Sequence, residues 1–72
     1  MQTLIEFIEQ CKELMLKYSD DRNIQKSFYM QAFGACNYES IRLIKECGDY
    51  KAAEAVWEKY GPELEKLLNG EG

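Results

Sequence analysis

Arg22-Asn23-Ile24-Gln25-Lys26-Ser27-Phe28-Tyr29-Met30-Gln31-Ala32-Phe33-Gly34-Ala35-Cys36-Asn37-Tyr38 holds four of the eight Phe and Tyr side chains and no acidic residue. Tyr29, Ala32, Phe33 and Cys36 recur at helical spacing, and Leu43, Ile44 and Cys47 extend that stripe. Ile24, Phe28 and Ala35 form a second apolar seam beside it, which Arg42 and Glu46 replace further along. The pattern predicts one long helix over about 22–47, apolar on two faces at 28–37 and on one face beyond. At 1.5 Å per residue it would be about 39 Å long. Gly34 weakens it by about 1 kcal/mol relative to Ala, but the stripe keeps its phase across the glycine, so continuity is expected. The aromatic, acid-poor composition also suits an interaction surface, although burial on two faces already accounts for it.

Outward from this segment the chain reads as helical in both directions. Thr3 with Glu6 has capping-box spacing, and Leu4, Phe7, Ile8, Cys11, Leu14, Met15 and Tyr18 follow on one face, predicting a helix over about 4–18. Ser19, Asp20 and Asp21 end it and offer caps to the next. Gly48 suits a left-handed stop and Asp49 a new cap. Ala53, Val56, Trp57, Tyr60, Leu64, Leu67 and Leu68 then keep one phase through Gly61-Pro62. A proline in mid-helix removes a hydrogen bond and forces a kink, and it could instead open a fourth helix. The unbroken phase favours one Pro-kinked helix over about 50–68, with 69–72 frayed.

Short turns make consecutive helices antiparallel. The expected fold is therefore a single all-α domain over 1–72, an up-down-up three-helix bundle with a long central helix. Helix 1 would cover residues 22–37 and helix 3 residues 28–47, and their overlap coincides with the two-faced segment. Met30, Ile41, Ile44, Ile5 and Leu16 fall outside or at the edge of the buried stripes. A contiguous apolar patch calls for a partner, and 72 residues lie near the lower limit for a self-sufficient core. A homodimer, or an unidentified protein partner covering those five residues, is expected.

Charge narrows the function classes. Residues 1–45 balance six acids against six bases, whereas 46–72 carry seven acids against Lys51, Lys59 and Lys66, so the whole excess of −4 sits in the C-terminal segment. The acidic face Glu54, Glu58, Glu63 and Glu65 could meet a basic partner, but a solvated outer face is the commoner reason for such a run. Phosphate neutralisation needs a basic patch that this chain lacks, so nucleic acid is not expected. A helix-turn-helix-type nucleic-acid-binding regulator is the alternative that the helix count permits, disfavoured by the length of the central helix. No apolar run approaches a membrane span. The first residues lack a basic region followed by an apolar core, and Cys11, Cys36 and Cys47 are an odd number at no ligand spacing. A cytoplasmic chain with reduced thiols, all three on apolar stripes, is the expectation. On a continuous helix Cys36 and Cys47 would be about 16 Å apart, beyond disulfide reach.

Catalysis finds little support. The chain has no histidine, its serines lack a nearby base, and its glycines are spaced as caps, not as a phosphate-cradling loop. No enzyme activity, cofactor or metal is expected, and the function read from these residues is a small non-catalytic interaction or regulatory module. Gly48-Asp49-Tyr50-Lys51-Ala52-Ala53, followed by Trp57, resembles the turn and second helix of a tetratricopeptide repeat. Ile41 and Tyr60 depart from that pattern and no second copy follows, whereas such arrays need about three. The resemblance implies a helical hairpin with the same turn chemistry, not family membership.

Overall fold

A computed structural model describes residues 2–70, and within them three helices pack against one another with no strand. Helix α1 spans Leu4–Lys17, α2 spans Arg22–Arg42 and passes directly into a π-helical turn at Leu43–Cys47, and α3 spans Tyr50–Leu68. The small all-α bundle expected from the periodicity is present, and α2 runs unbroken through Gly34. Likewise α3 is one helix through Gly61 and Pro62, not two. The end of α1 falls one residue earlier than expected, with Tyr18 as its C-cap. Of the residues expected to fray, Asn69 caps α3 and Gly70 makes a turn at φ 77°. Glu71 and Gly72 lie outside the described residues.

Each boundary has a local cause. Thr3 Oγ1 accepts from the Glu6 amide while the Glu6 carboxylate accepts from the Thr3 amide, a complete capping box. Asp21 Oδ1 accepts from the amides of Asn23 and Ile24, and Asp49 Oδ1 from that of Ala52. Gly48 ends the π-helical turn at φ 62°, a left-handed conformation that suits glycine.

The core joins Ile8, Cys11 and Met15 of α1, Ala32, Ala35 and Cys36 of α2, and Tyr60 and Leu64 of α3. Its bulk comes from α1 and α3, whereas α2 contributes small residues, which let both neighbours come close to its axis. Consequently α1 and α3 also touch each other, and Lys12 Nζ reaches Glu63 Oε2 at 2.6 Å between them. That hydrogen bond raises the Lys12 ammonium above its ordinary pKa, assisted by Glu9.

The first turn of α2 serves both neighbours. Gln25, buried, donates through Nε2 to the Met15 carbonyl at 3.0 Å, an acceptor in the last turn of α1 that no intrahelical partner serves. Arg22 donates through Nη1 to the Leu68 carbonyl at the end of α3. A cation there also complements the negative end of the α3 dipole.

Candidate interaction surface

The outer face of α2 is the principal apolar surface left open. Met30, Phe33, Gly34, Asn37, Tyr38 and Ile41 occupy positions i, i+3, i+4, i+7, i+8 and i+11 and are all exposed. Met30 is 66% exposed, Tyr38 63%, and Phe33 and Ile41 44% each. Helical spacing of this kind normally marks a buried stripe, yet here it faces solvent. Phe33 sits at its margin, its ring 6.0 Å from Tyr29 and 4.9 Å from Trp57. The sequence pattern assigned Phe33 to the buried stripe. The structure places it at the rim because Ala32 and Cys36 take the centre and leave the larger ring at the α2–α3 edge.

The five residues singled out from the pattern are dispersed. Met30 and Ile41 share the open face of α2. Ile41 lines a depression of about 200 Å³ with Tyr38, Arg42, Lys45 and Glu46. Ile44 is half-buried and lines a second, of about 250 Å³, with Ser40, Tyr50, Ala53, Glu54 and Trp57. Leu16 borders a third, of about 220 Å³, together with Leu67 and Gln25. Ile5, 57% exposed, lines none of the three. Tyr38, Phe33 and Tyr50 were missed as exposed groups. Counting a stripe from Met30, in addition to the one from Tyr29, would have found the first two.

Near Ile41 the guanidinium of Arg42 is held by both oxygens of Glu39, at 2.5 and 3.2 Å, and by Glu46 at 3.5 Å. Hydrogen bonding to Arg42 holds the Glu39 carboxyl below the usual carboxylate range, and the same contact raises Arg42.

The thiols divide in a way that the stripes did not anticipate. Cys11 and Cys36 are buried, and burial pushes both thiols up, which keeps them protonated and slow as nucleophiles. Cys47 is exposed, which corrects its assignment to a buried stripe. A π-helical turn fits more residues per turn than an α-helix, so the phase drifts over Leu43–Cys47 and carries Cys47 off the core. Among the described residues no group of three or more Cys, Asp or Glu side chains is arranged to hold a metal ion. No helix among them is long and apolar enough to cross a membrane.

No protein-family model, curated protein or solved structure matches the chain.

Proposed function

We propose that this protein is a non-catalytic interaction module that self-associates through the outer face of α2, forming a homodimer. The observation that carries this reading is the exposed run Met30, Phe33, Tyr38 and Ile41 at helical spacing around Gly34. Glycine inside a helix costs about 1 kcal/mol relative to alanine, and nothing within the protomer requires it here. A Cβ built on Gly34 meets no atom within 4 Å. Gly61 is equally open, but it precedes Pro62, whose ring crowds the Cβ of a preceding helical residue. At Gly34 the missing side chain instead leaves open space on the face that carries Met30, Phe33 and Tyr38, where a second helix can approach closely. A twofold-symmetric pair would present the same stripe from both copies. Three free thiols suit a reducing compartment, and we place the protein in the cytoplasm.

The test is the mass in solution by light scattering at tens of micromolar protein, where a specific dimer is populated by mass action. The expected result is twice the chain mass for the native protein and the chain mass for the double variant Met30→Asp/Ile41→Asp. Both substitutions are on exposed positions, so the variant retains its helical signal. A native protein of single-chain mass at that concentration overturns self-association.

A further inference from the structure

We propose that the groove between the π-helical turn and α3 receives an arginine side chain from a basic partner protein. The groove is lined by Ser40, Ile44, Tyr50, Ala53, Glu54 and Trp57. Its volume of about 250 Å³ lies below the roughly 300–1,000 Å³ usual for small-molecule pockets, and fits one long side chain better than a cofactor.

The chemistry of the lining selects the charge of the occupant. The Trp57 indole N–H donates to Ser40 Oγ at 3.2 Å, and the Ser40 hydroxyl donates to the Asn37 carbonyl at 3.1 Å. Both of those donors are therefore already engaged within the protein. What remains is the Glu54 carboxylate, the exposed Tyr50 and the aromatic surface of Trp57, a poor match for an anion. Tyr50, Glu54 and Trp57 stand at i, i+4 and i+7 on α3, so Glu54 occupies the position between the two aromatic residues on one helix face. Among the described residues Glu54 has no cation within ion-pairing distance.

Aromatic faces attract cations. A planar guanidinium can stack on a ring while its N–H groups grip a carboxylate, which the compact ammonium of lysine does less well. Ile44 and Ala53 supply apolar surface for the methylene stem of such a side chain. Contact with Phe33 and the bond to Ser40 hold the indole in place before anything binds, which lowers the ordering cost on association. The negative excess in sequence lies in residues 46–72, the segment that supplies Tyr50, Ala53, Glu54 and Trp57 to the groove, and it favours a basic over an acidic occupant. The groove borders the Met30–Ile41 face through the Phe33–Trp57 contact but shares no lining residue with it, so arginine binding is tested separately from self-association.

Trp57 is the only tryptophan, so its fluorescence reports on the groove directly. The probe is capped triarginine, compared with capped tricitrulline, its neutral isostere, and with triglutamate. The expected result is a saturable change in Trp57 emission with triarginine, about tenfold weaker with tricitrulline and absent with triglutamate. In the unaltered protein, triarginine shifts the amide resonances of Ile44, Tyr50, Glu54 and Trp57 more than that of Glu65. Glu54→Gln weakens triarginine about fivefold, whereas Glu58→Gln, on the same helix outside the groove, changes it by less than about twofold. Glu54 and Glu58 are exposed, and unchanged melting temperatures certify both variants. No saturable response to triarginine, an equal response to tricitrulline, or an equal loss in the two variants overturns the proposal. The last of these outcomes identifies diffuse attraction to an acidic helix.

Discussion

Tyr60 and Gln25 show how differently two buried polar groups can stand. The Tyr60 ring is part of the core and its hydroxyl is buried with no hydrogen-bond partner among the described residues. The Lys59 ammonium lies 5.0 Å from the ring centroid but gives the oxygen nothing. A buried unsatisfied hydroxyl opposes folding, so removing it while keeping the ring is expected to help. Tyr60→Phe should raise stability by about 1 kcal/mol, read as a higher urea midpoint at unchanged slope. A drop of comparable size would show that the hydroxyl is bonded after all. Sequence periodicity placed Tyr60 correctly on the core face of α3, since burial follows spacing. It could not show the orphaned oxygen, because a phenol reads as an aromatic until its surroundings are known. Gln25 is the reverse: polar in the sequence, absent from every apolar stripe, yet buried and satisfied by the Met15 carbonyl.

At the scale of the element, the caps were legible and the clasps between helices were not. Thr3, Asp21, Gly48 and Asp49 act on groups within a few residues of themselves, so their roles follow from local spacing. Gln25 and Arg22 act on carbonyls 10 and 46 positions away, and no local pattern encodes that. The α2 sequence even contains a clue that spacing alone cannot interpret. Its first turn has a cation and no acid, the wrong polarity for its own dipole. The arrangement makes sense once Arg22 meets the opposite pole at the end of α3. Gln25→Ala should therefore cost about 1–3 kcal/mol, the penalty for stranding the Met15 carbonyl, whereas Lys26→Ala, exposed one position on, should stay within about 0.5 kcal/mol. Thermal melts of both variants at one protein concentration check this, and equal costs would refute the capping role. The π-helical turn was likewise invisible, because a wider turn leaves composition unchanged and only moves the phase. Cys47 is where that drift showed.

For the whole molecule, the three helices and the unbroken α2 followed from apolar periodicity, and the division of labour within the core did not. The two-faced middle of α2 suggested burial of its large rings, whereas the buried positions are Ala32, Ala35 and Cys36. Phe28 and Tyr29 are partly buried against the core, as the periodicity expected, whereas Phe33 sits at the rim beside the exposed Met30, Tyr38 and Ile41, which makes the outer face apolar. Gly34 links this surface to overall stability. With open space around its Cβ, Gly34→Ala should stabilise the single chain by about 1 kcal/mol, seen as a higher melting temperature in dilute solution. The added methyl should at the same time keep a second helix away and lower the dimer fraction at tens of micromolar, measured by light scattering. An unchanged dimer fraction would remove Gly34 from the contact. The double attachment at the start of α2 has a further bearing on motion. Arg22 and Gln25 hang from a single turn and grip the final turns of both α3 and α1, so those termini cannot loosen one by one. Their amide protons should exchange with solvent through one shared opening event, making this end of the bundle a cooperative unit.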